Sequence, residues 1–449
     1  MVSFYVPKKK AFDRSAFELT CESLDIKGQG VGKTRGCVWF CRGLLPGEVA
    51  RVQPIWQKGT TGQCEVIKLL KRSSERLEDP CLFHDECGGC PLSHIKPEVA
   101  LSAKADGIIR VFKKAGIELP EPSFIERGSS TGYRRCCRLS ARYDRGQFHL
   151  GFREGGSKKL CDIKSCITLT PKLNALLPVL GVFLSKLECR GKIGHCDLVS
   201  TDGLTGINLR ITSRLSKADE QSLGEFSKEH SLVISVQEPV PSRNATGVTE
   251  LIKTRTVCGD DGQLFLNSYG IKILCRADSF VQVNSEMNRA MVKRVLDAVG
   301  PKSGMNVLDL FCGIGNFTLP IAKSGARVTG VDVVSDMIEL AKKSARDAEL
   351  TSASFVTCDL DEAFEKDEFA REHYDAVVMD PGREGANRAC RYCAGKKFEK
   401  VVLISCNPLA AARDIPLLTS SGYRIEQWGM FDMFPRTAHV ETVVLMSRK

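Results

Sequence analysis

"NVLDLFCGIGNFTLPIAKSGARVTGVDVVSDMIELAKKSA", Asn306 to Ala345, reads as strand, glycine-rich turn, helix, second strand, acid and helix. Gly313 and Gly315 let the backbone come close to a ligand. Asp332 follows Gly313 by 19 residues, near the ~20 expected of an acid that accepts ribose hydroxyls. This is the pattern of a nucleoside-binding unit. Position 318 is Thr, so the third glycine of the dinucleotide fingerprint is missing and the helix start is not shaped for a pyrophosphate. S-adenosylmethionine, which has ribose and adenine but no phosphate, fits this turn better than NAD.

Working outward, "SFVTCD", "YDAVVMD" and "KVVLISC" are apolar runs that end at Asp359, Asp380 and Cys406. Each delivers a polar group at a strand's carboxyl end, the rim on which open α/β sheets bind ligands. From about residue 279 onward the alternation predicts an α/β, Rossmann-like domain with its site along that rim. A thiol there invites covalent chemistry. Uracil C5 is a poor nucleophile, but a thiolate added at C6 makes the C5–C4–O4 unit enolate-like and able to take a methyl group. The C5 proton must then leave, which needs a general base. Glu441, in "TAHVETVVLMSR" at the start of a last apolar strand, is the candidate base and Cys406 the candidate nucleophile.

The N-terminal part differs in charge and pattern. Residues 1–76 hold 14 Lys and Arg against 7 Asp and Glu, whereas residues 281–449 hold 22 against 23. A basic end beside a near-neutral domain points to a polyanion gripped by one and chemistry done by the other. The excess includes the run Lys8–Lys10. Short β-rich runs (Phe17–Cys21, Cys37–Cys41, Glu48–Ile55, Gln63–Leu70) alternate with glycine-rich segments read as turns, among them "KGQGVGKTRG". They predict a small OB-like β-barrel, a common oligonucleotide platform.

Next comes "DPCLFHDECGGCPLSH", in which Cys81, Cys87 and Cys90 form C-x5-C-x2-C around Gly88 and Gly89. Three thiols need a fourth ligand. His84 or His94 would complete a zinc site, and a distant cysteine such as Cys166 would complete an iron–sulfur cluster. Residues 99–127 read as helical ("VALSAKADGIIRVFKKAG") and end in a proline-rich connection. In "GYRRCCRLSARYDRGQFHLGFREGGSKK" cations interleave with Tyr133, Tyr143, Phe148 and Phe152, a pattern that suits single-stranded nucleic acid and equally describes an amphipathic hairpin.

Twenty cysteines in a chain of 449 residues with no apolar export segment predict mostly reduced thiols and a cytoplasmic protein, and no stretch is long and apolar enough to span a membrane. Nothing demands more than a monomer.

Taken together, "DLFCGIGNFTLP", "SCNP", "HVET", "FVQVN" at Phe280–Asn284 and the upstream cysteines closely resemble the bacterial RNA uracil-C5 methyltransferases that use S-adenosylmethionine. The resemblance runs from about Leu24 to Lys449. It implies a TRAM-type barrel (1–72), a central α+β iron–sulfur and RNA-binding domain (73–278) and a catalytic methyltransferase domain (279–449). Barrel and cluster together point to family members acting on 23S ribosomal RNA. Carried over, it implies Cys406 as nucleophile, Glu441 as base, and Gln282, Phe311, Asn316, Asp332, Asp359 and Asp380 as S-adenosylmethionine contacts. It also implies that Cys81, Cys87, Cys90 and Cys166 hold a 4Fe-4S cluster. Asp332 and Asp359 stand where Glu and Asn are usual, and "DPGREG" replaces a DPPR- or DPAR-like run.

Overall fold

The structure, a computed structural model, describes residues 13–157, 159–244 and 247–448; the basic run Lys8–Lys10 lies outside them. The described residues form two compact units. One takes those up to Pro80 with Cys90–Ile108 and Arg436–Ala438; the other takes Cys81–Gly89, Ile109–Pro435 and the residues from His439.

The first unit is built on a six-stranded sheet in the order Phe17–Thr20, Val49–Lys58, Thr61–Lys71, Cys37–Cys41, Gly30–Thr34, Ser23–Leu24. Its alternate inward residues, Leu19, Trp39, Cys41, Ala50, Val52 and Cys64, make the core. "KGQGVGKTRG", expected to be a turn, contains the strand Gly30–Thr34. Its glycines serve close approach: a Cβ on Gly32 would lie 2.2 Å from the Thr20 carbonyl oxygen. Glu48 is fully buried and takes the Arg76 guanidinium at 2.7 Å on both oxygens, together with the Leu45 and Ser73 amides.

The second unit holds two large sheets. The seven-stranded sheet runs Leu160–Asp162, Gln147–Arg153, Cys136–Asp144, Ile193–Ser200, Thr205–Ile211, Leu232–Asn244, Gly247–Cys258. Helices Pro171–Lys186 and Lys217–His230 contribute Leu173, Leu177, Leu180, Leu184, Leu223 and Phe226 to its core. Here the interleaved cations and aromatics resolve as an amphipathic hairpin. Phe148 and Phe152 pack against that core, while Arg138, Arg142 and Arg153 are exposed. Tyr133 is buried, its hydroxyl donating to the Pro435 carbonyl at 3.0 Å, and only Tyr143 keeps an exposed ring, 5.2 Å from Arg190. Strand periodicity of two sends alternate side chains to opposite faces, so linear interleaving became spatial separation.

The eight-stranded sheet has the order Ala353–Thr357, Arg327–Asp332, Asn306–Leu310, Ala376–Met379, Lys400–Ser405, Glu441–Arg448, Tyr423–Asp432, Phe124–Arg127. The first five strands are mutually parallel. Glu441–Arg448 lies antiparallel between Lys400–Ser405 and Tyr423–Asp432. The strands expected at the C-terminal end are present, and the near-continuous apolar runs Val307–Leu310, Val377–Met379 and Val401–Ile404 are buried because helices cover both faces. Residues 99–127 are helical only in part: the helix is Pro97–Lys114, and after Gly116, Pro120 and Pro122 the strand Phe124–Arg127 joins the sheet edge parallel to Gly429–Asp432. Gly429 makes room for it, a Cβ there falling 2.6 Å from the Phe124 ring. Among the described residues no helix is long and apolar enough to cross a membrane.

Candidate active site

The carboxyl ends of the parallel strands form one rim, and the glycine-rich turn sits on it. Phe311 closes the strand Asn306–Leu310 with φ +65°, a conformation rare for a residue with a side chain and one that clusters at functional turns. Gly313 (φ +54°) follows, and no atom lies within 4 Å of where its Cβ would be. That open flank leaves room for a ligand. The Gly313 amide donates to Asp332 Oδ2 at 2.9 Å, and the Val334 amide donates to Oδ1 at 2.9 Å. Each oxygen keeps acceptor capacity for a ribose hydroxyl. Two further candidates stand beside the turn. Asn316 exchanges amide hydrogen bonds of 2.9 and 3.0 Å with Asn288. Gln282 is buried, and its Nε2 donates to Asp380 Oδ2 at 3.3 Å. Asp359 is exposed on the same rim, one strand further out, accepting from the Asp361 amide. These residues fit a methyl donor carrying ribose and adenine.

Beneath the rim the electrostatics are acidic. Asp309 is fully buried and accepts from the Thr318 hydroxyl at 2.5 Å; burial, with Asp380 and Asp332 nearby, pushes its carboxyl up to about 7. Burial likewise pushes Asp380 up to about 7 against the Gln282 hydrogen bond.

Cys406 and Glu441 come from neighbouring strands. Ser405 faces Thr442 in the antiparallel pair, so the next residues, Cys406 and Glu441, meet at the strands' ends. The cysteine's turn is fixed on all sides. Thr442 Oγ1 donates to the Ser405 carbonyl at 2.9 Å, the Ser405 hydroxyl donates to the Asn407 carbonyl at 3.1 Å, and Asn407 Oδ1 caps the following helix at Leu409 N. Pro408 opens that helix, its missing amide costing nothing in the first turn. Cys406 is half-buried; burial and the carboxyls of Glu441 and Asp380 push its thiol up to about 11, while Arg383 draws it down. Glu441 is 4% exposed, and its Oε2 has no hydrogen-bond partner. Burial and Asp380 raise its carboxyl well above the usual range, again opposed by Arg383. A buried carboxyl with an unpartnered oxygen beside a thiol at the sheet's rim is costly for stability and useful for proton transfer.

Arg383 is thus the cation that acts on both groups, and sequence reasoning passed over it as part of an unusual "DPGREG" run. An arginine three residues beyond a rim aspartate was the signal available.

Within the second unit the Cys81–Gly89 segment is pinned to the edge of the seven-stranded sheet. The Gly88 amide donates to the Arg153 carbonyl at 3.1 Å, and a Cβ on Gly88 would lie 2.8 Å from Gly155 Cα. The Cys87 thiol is raised by burial, then by the thiols of Cys166 and Cys81, which places three of the four expected ligands in one electrostatic neighbourhood. Cys166 Sγ is 3.2 Å from Thr168 Oγ1. Cys90 and His94 belong to the first unit and His84 to the second. Among the described residues no three His, Cys, Asp or Glu side chains converge tightly enough for a single metal ion.

A family model for tRNA (uracil-5-)-methyltransferase matches residues 261–449. The 23S rRNA (uracil(1939)-C(5))-methyltransferase RlmD of Tolumonas auensis is 36% identical over 100% of both chains, and the protein of that name from Histophilus somni is 34% identical over 100% of both. Among solved structures, the tRNA (uracil-54, C5)-methyltransferase of Pyrococcus abyssi, in complex with S-adenosyl-L-homocysteine, has a TM-score of 0.71 at 22% identity, covering 96% of this chain and 100% of its own, a likeness of fold. Matched end to end by such relatives, and carrying their family model over the sheet that bears the rim, the chain belongs to the RNA uracil-C5 methyltransferases, alongside the 23S rRNA (uracil(1939)-C(5))-methyltransferases.

Proposed function

We propose that the protein transfers a methyl group from S-adenosylmethionine to C5 of a uridine in 23S ribosomal RNA, the position its relatives' name gives as 1939. The observation that carries the reading is the meeting of Cys406 and the unpartnered carboxyl of Glu441 at the ends of paired strands. The donor supplies an electrophilic methyl group on a positively charged sulfur. Gln282, Phe311, Asn316, Asp332, Asp359 and Asp380 hold and orient it along the rim. Cys406, its thiol proton given up to solvent, bonds as thiolate through Sγ to C6 of the flipped-out base; the electron pair displaced toward C5 and O4 forms the C5–CH3 bond as the donor's S–CH3 bond breaks and S-adenosylhomocysteine leaves. Glu441 takes the C5 proton, the Sγ–C6 bond breaks with its electrons returning to sulfur, and 5-methyluridine leaves. Arg383 favours the charged forms that Cys406 and Glu441 need.

Residues 1–72 act as a TRAM-type RNA platform, residues 73–278 as the central RNA-binding part and 279–449 as the catalytic domain. Cys81, Cys87, Cys90 and Cys166 would hold a 4Fe-4S cluster, a reading supported by the C-x5-C-x2-C spacing and by the influence of the Cys166 and Cys81 thiols on Cys87. The cluster orders the RNA-binding part and takes no part in methyl transfer. Working on ribosomal RNA places the protein in the cytoplasm, and a monomer supplies every group the reaction uses.

The test is tritium release from a 23S rRNA fragment labelled at uridine C5, with S-adenosylmethionine. Wild type should release tritium, Cys406→Ala should not, and Glu441→Gln should trap a covalent RNA adduct. No release by wild type despite tight RNA binding would reject the enzyme reading.

A further inference from the structure

The loop that presents Arg383 is not held by its own strand or helix. Asp380 ends the strand Ala376–Met379, Gly385 folds back with its amide donating to the Gly382 carbonyl at 3.0 Å, and the helix Asn387–Lys396 begins without a side-chain cap of its own. The grip comes from the helix Pro408–Thr419, which starts two residues after Cys406. Asp414 on that helix is only 1% exposed. Its Oδ2 accepts the Ala386 amide at 2.7 Å, and its Oδ1 takes Arg413 Nε at 2.8 Å. Arg413 Nη2 in turn donates to the Glu384 carbonyl at 2.6 Å, and Asn407 Nδ2 donates to the Arg383 carbonyl at 2.9 Å. Backbone groups on both sides of Gly385 are therefore tied to the segment that carries the nucleophile. Gly385 shows how tight the fit is: at φ +87° its Cβ would lie 2.3 Å from Asp414 Oδ2 and 2.6 Å from Arg413 Nη2.

We propose that Asp414, with Arg413, is the positioning residue of the active site: it locks the 383–386 backbone to the nucleophile's helix and so aims Arg383 at Cys406 and Glu441. This rests on the methyltransferase reading and deepens it. Asp414 touches neither substrate nor reacting atoms. Burying a carboxylate is costly unless every lone pair is used, and these partners use it on a loop whose free neighbours Gly382 and Gly385 would otherwise let it wander. The groups acting on the Cys406 thiol are Glu441 and Asp380, which oppose its ionisation, and Arg383, which favours it. Losing Arg383's aim leaves the two carboxyls unopposed.

The experiment measures single-turnover methylation of a 23S rRNA fragment against pH for wild type, Asp414→Ala, Asp414→Asn, Gly385→Ala, Arg383→Gln and the double variant Asp414→Ala/Arg383→Gln. Misplacing a catalytic group by about 1 Å costs on the order of 100-fold. Asp414→Ala and Gly385→Ala should lose about that factor, with S-adenosylhomocysteine affinity within about twofold of wild type. The rising limb of the rate profile should move to higher pH, as it should in Arg383→Gln. Asp414→Asn, which keeps an acceptor for Ala386, should recover part of the rate. The double variant should be no slower than Arg383→Gln. Multiplicative losses in the double variant, an unmoved pH limb, or cofactor affinity falling in step with rate would each overturn the proposal. Wild-type inactivity would instead overturn the function, and a full-rate Arg383→Gln would remove the role given to Arg383. Should Asp414→Ala not fold, Gly385→Ala and Asp414→Asn carry the same comparison.

Discussion

Alanine at Gly313 and at Gly315 should separate the cofactor cradle from its scaffold. Both glycines have positive φ, +54° and +88°, so a Cβ at either costs about 1–2 kcal/mol of backbone strain. Their surroundings differ. Nothing lies within 4 Å of a Cβ on Gly313, whereas one on Gly315 would meet Leu319 Cγ at 3.0 Å and Cδ1 at 3.1 Å in a fully buried cluster. Overpacking of that kind adds about 1–3 kcal/mol. Gly313→Ala should therefore lose about 1–2 kcal/mol and Gly315→Ala about 2–5 kcal/mol in urea unfolding without ligand. On the proposed reading the donor fills the open flank of Gly313, so a methyl group there should weaken S-adenosylhomocysteine binding about 10- to 100-fold, or about 1.4–2.8 kcal/mol, by calorimetry. Wild-type affinity in Gly313→Ala, at the expected stability loss, would refute the assignment of this turn as the cradle. Equal destabilisation of the two variants would refute the steric argument.

Other outcomes follow from the charges. Burial pushes Asp309 and Asp380 up to about 7 and raises Glu441 well above its ordinary range, and a positively charged donor favours their ionised forms, so binding S-adenosylmethionine at pH 7 should release protons, and S-adenosylhomocysteine fewer; calorimetry in two buffers of different ionisation enthalpy reads the difference. Because the Cys406 thiol is pushed up to about 11, its alkylation by iodoacetamide in the free protein should be slow at neutral pH and rise roughly tenfold per pH unit toward pH 10, as the thiolate fraction does. Burial would raise Glu48, but the Arg76 hydrogen bonds and the Leu45 and Ser73 amides hold it below the ordinary 4.5; its contribution is fully present above that value and is lost as pH falls through the depressed one. Arg76→Ala should cost about 3–5 kcal/mol in urea unfolding because it strands a buried carboxylate.

The rim was legible because its chemistry is local: a glycine turn and an acid lie within one strand–turn–helix–strand stretch, and strand-end residues announce themselves by where an apolar run stops. What escaped depends on pairing across distance. Glu441 was named as base beside Cys406 from what the chemistry requires, but the antiparallel register that brings the two together, 35 residues apart in sequence, is encoded by no local pattern. The Gly30–Thr34 strand was hidden because glycine signals both turns and close packing, and only the Thr20 backbone against Gly32 decides between them. The cations and aromatics of residues 133–153 left two readings open in sequence because interleaving there becomes segregation on a pleated surface only once the strands pair. Arg383 and Asp414 acquire their meaning from one another's loop and helix, so neither stands out alone.

The strand Phe124–Arg127 makes the catalytic sheet discontinuous in the chain. Its residues are synthesised some 300 positions before the Gly429–Asp432 segment they pair with. The stretch from 261 onward that bears the family's signature is therefore not a self-sufficient module. Expressed alone, it would leave the outer edge of Tyr423–Asp432 with unpaired amides and carbonyls, and Phe431 without the ring it packs against at 5.0 Å. Such an edge recruits any strand it meets, another copy included. A truncated catalytic fragment should aggregate or dimerise edge to edge, and adding a peptide spanning residues 120–128 should suppress it, so that the nascent protein commits its catalytic half only once the last strands return to a segment made long before.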